Sequence, residues 1–320
     1  MNKKKILKIG IVMDPIQNIK IKKDSSFAIL LEAQKRNHQI YYMEMNDLYL
    51  KKGHAYAKTR FIRIQKEINN YFTFTQEQNI SLNELDVILM RKDPPFNMEF
   101  IYATYILERA EKSGVLVINK PKSLRDCNEK IFASIFEKFI PDTLVTRNIS
   151  QIHDFWKKNQ DIIIKPLDNM GGSSIFRIKE NDVNFLVISE TMTNYEKKYC
   201  MVQTYLPSVK YGDKRILMIN GKAIPWCVAR IPKKGETRAN IAAGGTAEIK
   251  KLDKKDWEIA NYLSPVLKEK GLIFVGLDVI GDKLTEINIT SPTCICEIEL
   301  STNISISSML IDYIEDKIYL

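Results

Sequence analysis

The sequence predicts an α/β amino-terminal unit built on a parallel sheet, joined to a body in which hairpins replace the alternation of strand and helix. Three observations carry this expectation. Over the first 118 residues, apolar strands alternate with amphipathic helical stretches, the pattern of a parallel sheet with both faces covered. At Asn119-Lys120-Pro121 that alternation stops. Beyond it, Asn220-Gly221 and Gly281-Asp282-Lys283 stand between apolar runs as tight-turn signals.

In chain order, residues 6–13 read as a first strand, followed by the loop Asp14–Asp24. Asp24 or Ser25 is placed to cap a helix running through Phe27, Leu30 and Leu31. The turn Asn37-His38 leads into a strand at Ile40–Met43, and Asp86–Met90 reads as another buried strand, ending in Arg91-Lys92-Asp93-Pro94-Pro95. An amphipathic helix over Met98–Lys112 is stopped by Gly114 and followed by a strand at Val115–Ile118. Ligands of such sheets sit beyond the carboxyl ends of the strands, where Asp14 and Arg91 fall. Past the boundary, a helix is expected to carry Lys130, a strand–loop–strand unit to follow, and a strand to run from Lys198 to Tyr205. Ile216–Ile219 and Lys222–Val228 flank the Asn220-Gly221 turn. Ile231–Thr246, rich in Gly, Lys, Arg and Ala, has the length of a lid loop. A helix over Lys254–Lys270, a closing hairpin and a helix over Ser307–Ile318 complete the chain, with no internal repeat.

Bulk properties exclude several classes. The 320 residues suffice for two or three packed units, and 45% apolar with 27% charged residues is ordinary for a soluble globular protein. No apolar run approaches the length of a membrane span. The start, MNKKKILKIGIVMDP, has too short an apolar stretch for a secretion signal and reads as a strand. The net charge of +9 comes from scattered lysines without any nucleic-acid-binding motif, so a basic surface around an anionic small-molecule site is expected rather than a nucleic-acid partner. Five cysteines without a C-x-x-C pair indicate reduced thiols and a cytoplasmic setting. The three histidines are isolated, which gives a structural zinc site or a Ser-His-Asp triad little support.

Two segments carry chemistry. Ile162–Phe176 reads IIIKPLDNMGGSSIF: a β-branched run ends in a lysine, a proline breaks it, a glycine loop follows, and a second strand is expected from Ser174. A lysine at a strand end beside a loop of backbone N–H groups suits a polyphosphate. No Gly-Lys-Ser/Thr follows and no G-x-G-x-x-G opens a helix, so neither of the two familiar phosphate loops is present. A strand–loop–strand lid over a nucleotide and a plain hairpin with a surface lysine both fit. The second segment, Phe274–Asn288, reads FVGLDVIGDKLTEIN. With Gly281-Asp282-Lys283 as the loop, Asp278 lies across from Glu286, and Glu286 shares a face with Asn288. Two close carboxylates repel unless a cation joins them, and hard oxygen donors completed by phosphate oxygens describe Mg2+. A metal-free acid–base pair and an edge strand with outward polar positions are the alternatives.

Longer strings then become informative: GIVMDPI, IKKDSSFA, VILMRKDPPF, EFIYATYILERAE, NKPKSLRDCNEK, IPKKGETRANIAAGG and GLIFVGLDVIGDKLTEINITSPTC. Together they resemble the ATP-grasp superfamily and, within it, the bacterial glutathione synthetases, over essentially the whole chain. The resemblance implies a pre-ATP-grasp α/β domain over residues 1–122 and an α+β ATP-grasp body over 123–320, divided into a central lid subdomain (123–205) and a carboxy-terminal subdomain (206–320). It implies ATP and Mg2+, with Mn2+ as a substitute, as cofactors. It implies a homotetramer, and ligation of γ-glutamylcysteine to glycine through an acyl phosphate. Carried over position by position, Lys130 and Lys165 would hold phosphates, and the loop Asp168, Gly171, Gly172, Ser173 and Ser174 would cover them. Gln203, Tyr205 and Leu206 would line the adenine pocket, the last two through backbone groups, and Asp213 would lie near the ribose and phosphates. Asp278, Glu286 and Asn288 would bind metal, and Arg215 and Arg230 would flank the transferred phosphoryl group. Arg238 and Asn240 would reach in from the lid, and Asp14, Lys22 and Arg91 would serve the dipeptide. Three positions depart from the family pattern: Asn169 for Gly, and Thr246 and Cys296 for Arg. A ligase for another acid–amine pair, or a nucleotide-binding relative without catalysis, would share much of this set.

Overall fold

The computed structural model describes residues 5–67, 69–169, 171–233 and 245–319. The first unit contains β1 (Lys8–Met13), α1 (Ser25–Lys35), β2 (Gln39–Met43), β3 (Leu48–Lys51), β4 (His54–Ile64), β5 (Phe72–Ser81), β6 (Val87–Arg91), α2 (Met98–Lys112) and β7 (Leu116–Ile118). They form one sheet in the order β3-β4-β2-β1-β6-β7, with β5 also paired to β4. The caps explain the helix starts. Asp24 accepts from the Phe27 N–H at 2.7 Å and Asn97 from the Phe100 N–H at 3.0 Å, each satisfying a donor that the first turn leaves open.

The sheet is mixed rather than wholly parallel. β2, β1, β6 and β7 run parallel, but β4 is antiparallel to β2, and β3 and β5 are antiparallel to β4. These three added strands escape a search for apolar runs. β4 reads HAYAKTRFIRI and buries roughly every second residue, while β5 reads FTFTQEQNIS and is largely exposed.

A connector with α3 (Pro121–Asp126) leads to β8 (Thr143–Thr146), α4 (Ile149–Asn159), β9 (Ile162–Pro166), β10 (Phe176–Ile178), α5 (Phe185–Thr193) and β11 (Cys200–Thr204). This second sheet has the order β10-β9-β11-β8 and its own core, in which Trp156 stacks on Phe185 at 4.3 Å between ring centroids. The third contains β12 (Asp213–Ile219), β13 (Lys222–Ile231), β14 (Thr246–Lys251), α6 (Lys254–Glu269), β15 (Phe274–Ile280) and β16 (Lys283–Asn288), followed by α7 (Ile295–Ser301) and α8 (Ile306–Tyr319). Its order is β14-β13-β12-β15-β16, antiparallel throughout.

The connector is bonded along its length to the third sheet. The Asn119 amide donates to the Phe274 and Ile289 carbonyls at 2.8 and 2.6 Å and accepts from the Ile273 and Phe274 N–H groups at 2.7 and 2.9 Å. Lys130 lies in a turn after α3 and not on a helix, contrary to expectation. The Asn128 side chain explains this: its Oδ1 accepts from the Lys130 and Ile131 N–H groups at 3.2 and 3.1 Å, a local turn that competes with helix continuation. Similarly, β10 starts at Phe176 and not at Ser174, because Ser174 has φ +57°. At the far end, α8 returns to α1. Arg36 donates to Asp312 at 2.6 Å and Glu315 at 3.1 Å. His38 accepts from the Leu7 N–H on Nδ1 at 3.2 Å, which leaves its Nε2–H for Glu315 at 3.1 Å.

Candidate active site

The hairpin β15–β16 forms one wall of a cleft whose other wall is β9 and β11 of the second sheet. Asp278 does lie opposite Glu286, by a route the sequence did not indicate. The turn has two residues, Gly281-Asp282, with Ile280 paired to Lys283 and Val279 to Leu284. Thr285 is then an extra residue, a bulge that brings Glu286 level with Asp278. The Thr285 hydroxyl donates to the Asp278 carbonyl at 3.1 Å and fastens the bulge. Asn288 donates its Nδ2 to the Gly276 carbonyl at 3.3 Å, so its oxygen is the atom left for a ligand.

Cations face these acids from three directions. Lys165, near the end of β9, places its Nζ 3.7 Å from Glu286 Oε1, and Lys130 places its own 3.3 Å from the same oxygen. Lys130 also donates to the Asn169 carbonyl at 2.8 Å. Arg215 grips Asp278 with two bonds, at 2.5 and 3.0 Å, because β12 and β15 pair these residues directly. Arg230 reaches both Asp213 at 2.5 Å and Asp278 at 2.9 Å. Four cations thus meet three carboxylates in a space where all are buried or nearly so.

The electrostatics follow. Burial opposes the charge on Asp278, but Arg215 and Arg230 outweigh it and hold the carboxyl well below its ordinary range. Burial likewise opposes Glu286, and Lys130 with Lys165 reverses the balance. Burial lowers Lys165, although Glu286 resists. Asp213 differs: burial pushes it up to about 7 despite Arg230. Its Oδ1 is buried with no hydrogen-bond partner among the described residues, an atom suited to a ligand's donor.

Not every expected residue reaches the cleft. Gly171, Gly172 and Ser173 line it, whereas Ser174 is exposed and does not. Asp168 does not line the cleft and pairs with Lys198 at 3.0 Å. Gln203, Tyr205 and Leu206 line the cleft, but the Tyr205 N–H is already given to the Asp161 carbonyl at 2.9 Å, leaving its carbonyl for a ligand. Ile163, Ile175, Val209 and Ile280 complete an apolar slot there. Ile163 was readable in principle, since it shares a strand face with Lys165. Arg238 and Asn240, and most of the expected lid, lie outside the described residues.

The family models separate the chain at the connector. The model for the prokaryotic glutathione synthetase N-terminal domain matches residues 7–125, and that for its ATP-grasp domain matches residues 129–303. The chain belongs to the prokaryotic glutathione synthetase family. Its function is that of a glutathione synthetase, an ATP-dependent ligase. The glutathione synthetase of Buchnera aphidicola subsp. Schizaphis graminum is 74% identical over 319 residues, spanning 100% of both chains. That of Escherichia coli is 60% identical over 313 residues, 98% of this chain and 99% of its own. The fold is shared more widely. D-cycloserine synthetase DcsG superposes with a TM-score of 0.68 at 11% identity, covering 97% of this chain and 99% of its own. D-alanyl-alanine synthetase A of Vibrio cholerae gives 0.59 at 13% identity, covering 98% and 99%.

In this glutathione synthetase family member a second cavity adjoins the cleft through Glu129, Gly171, Arg215 and Asn288. Lys20 and Lys23 line it, and Lys22 does not. The turn closed by the Lys23 N–H on the Lys20 carbonyl, at 2.8 Å, brings residues 20 and 23 to one side and leaves Lys22 exposed. Arg91 is buried beneath this region, donating to Ser26 Oγ at 3.0 Å and the Pro292 carbonyl at 2.9 Å, while its Nη1 has no partner among the described residues. Asp14 is held by Lys92 at 2.8 Å and the Asp93 N–H at 3.0 Å. Of the three departures, Asn169 gives its carbonyl to Lys130 and lines the cleft, Thr246 opens β14 exposed, and Cys296 donates its thiol to the Asp24 carbonyl at 3.4 Å.

The donor set fits a nucleotide with a divalent cation. Lysines and apolar side chains line the cleft, and two carboxylates with one amide oxygen stand on the hairpin. Among the described residues no three His, Cys, Asp or Glu side chains form a metal cluster, so a cation held here would complete its shell with oxygens of water or of a ligand. No helix is long and apolar enough to cross a membrane among the described residues.

Proposed function

We propose that this cleft holds ATP with Mg2+, or Mn2+ in its place, and that the adjoining cavity holds γ-glutamylcysteine, to which glycine is joined through an acyl phosphate. The convergence of Lys130 and Lys165 on Glu286, across from the Arg215–Asp278–Arg230 network, is the observation that supports this most. When bound, the nucleotide supplies the phosphoryl group and the cation screens the repulsion between triphosphate and incoming carboxylate.

The chain's own residues do the rest. Lys130 and Lys165 are point charges for phosphate oxygens, delivered by a turn and a strand end that packing fixes. Gly171, Gly172 and Ser173 offer backbone N–H groups over the same space. Gln203, Tyr205, Leu206 and the isoleucines take the base, and Asp213 takes a polar group beside it. Asp278, Glu286 and Asn288 would hold the cation, with Asp278 kept ionised by its arginines. Arg215 lines both cavities and Arg230 the second, and together they neutralise charge as the phosphoryl group crosses. Arg238 and Asn240 are assigned to a lid that excludes water, and Lys20 and Lys23 take over the part expected of Lys22. Asp14 and Arg91 retain a substrate role, Arg91 through its unpaired Nη1. The division at residue 122, a homotetrameric assembly and a cytoplasmic location belong to the same proposal. Nucleic acid and membrane are not partners in it.

The test is phosphate release from the purified protein given Mg-ATP and γ-glutamylcysteine, with and without glycine. Release that requires glycine and yields glutathione is expected. Release with another amine only, or with none, would overturn the substrate assignment.

A further inference from the structure

Resting on that proposed nucleotide and metal site, we propose that Glu129 is a positioning residue, clasping the turn that carries Lys130 to the strand that carries Glu286 and Asn288. Its Oε1 accepts three hydrogen bonds, from the Ile289 N–H at 2.8 Å, the Thr290 N–H at 3.0 Å and the Thr290 hydroxyl at 3.0 Å. Its main-chain carbonyl accepts a fourth, from the Ile287 N–H at 2.9 Å. Four contacts from one residue therefore bracket Asn288, the last residue of β16 and two positions beyond Glu286.

The neighbours on either side extend the clasp. Asn128 donates its Nδ2 to the Leu167 carbonyl at 3.0 Å, on the loop that follows Lys165. Lys130 spans the Asn169 carbonyl and Glu286. The tripeptide Asn128-Glu129-Lys130 thus joins the phosphate loop on one side to the carboxylate hairpin on the other, and Glu129 supplies the hairpin half. A lysine head placed by a turn with no helix beneath it has only such bonds to hold its backbone. An error of about 1 Å in placement costs on the order of a hundredfold in rate, so the clasp is expected to register in kinetics.

The experiment compares Glu129→Ala, Glu129→Gln and Thr290→Val in the full-length enzyme, reading KM for Mg-ATP, the Mg2+ concentration for half-maximal rate, KM for γ-glutamylcysteine, and thermal midpoint. In Glu129→Ala the two metal–nucleotide parameters should rise about tenfold or more while the dipeptide KM changes less than about threefold. Glu129→Gln retains an Oε1 acceptor and should recover most of the loss. Thr290→Val removes one donor only and should show the same pattern at about two- to fivefold, which keeps the test open should Glu129→Ala not fold. Unchanged metal–nucleotide parameters in both Glu129→Ala and Thr290→Val would overturn the proposal. So would a parallel rise of all three parameters with a fallen midpoint, or a Gln variant no better than Ala. Glu286→Gln, run alongside, separates the failures: if it too is fully active, the metal-site assignment itself is wrong.

Discussion

At the residue scale the cleft is governed by which carboxylate has which partner. Among the described residues Glu286 pairs with two lysines and no arginine, and Asp278 with two arginines and no lysine. Glu286→Gln should lower turnover by about two orders of magnitude or more, with a thermal midpoint close to that of the parent, measured by phosphate release and a melting scan. Asp213 makes a different prediction. Its carboxyl sits at about 7 in the fold against an ordinary 3.8. The folded chain therefore keeps a proton that the unfolded chain releases. The stability this contributes is complete below 3.8 and is lost as pH rises through about 7. The slope it adds is at most about 1.4 kcal/mol per pH unit across that window. Melting scans without nucleotide, run between about pH 5 and pH 8, should show a steeper fall for the parent than for Asp213→Asn.

At the scale of single elements, the strands around the cleft leave little room. Gly276 on β15 lies beneath Arg215 and Pro292, and an added Cβ would come within 2.8 Å of Arg215 Cδ and 3.1 Å of Pro292 Cβ. Gly276→Ala should therefore displace the guanidinium and lower kcat about tenfold, with a smaller effect on the midpoint. Elements of this size were unevenly legible in the sequence. Asn220-Gly221 forms the expected two-residue turn, with φ of +47° and +70°, because local chemistry decides such turns. Lys165 at its strand end, the helix Met98–Lys112 and the facing of Asp278 and Glu286 were readable for the same reason. The Thr285 bulge was not, since a bulge depends on what the partner strand and its twist require. The Arg215–Asp278 and Arg230–Asp213 pairs were also hidden, because each depends on register between strands and not on spacing along one. Neither α4 nor α5 was expected, although both cover the second sheet and build its core.

At the scale of the whole molecule, the carboxy-terminal helix is tied back to the first sheet by Arg36 and His38. Glu315 is buried between them, while Asp312 is on the exposed side of Arg36. Removing a buried partner strands the charges it served, so Glu315→Ala should cost about 3 kcal/mol. Asp312→Ala should cost at most about 1 kcal/mol. Equilibrium or thermal unfolding of the two variants side by side checks the contrast. A wider consequence comes from the lysines on Glu286. That carboxylate acts as a placeholder, paired with the two ammonium groups a triphosphate would claim. A nucleotide arriving alone would evict it and leave it facing further negative charge; one arriving with a divalent cation gives the displaced acid a new counterion. Metal-free ATP should consequently bind far more weakly than its metal complex, and in Glu286→Gln, where nothing needs to be rehoused, the gap between the two should narrow.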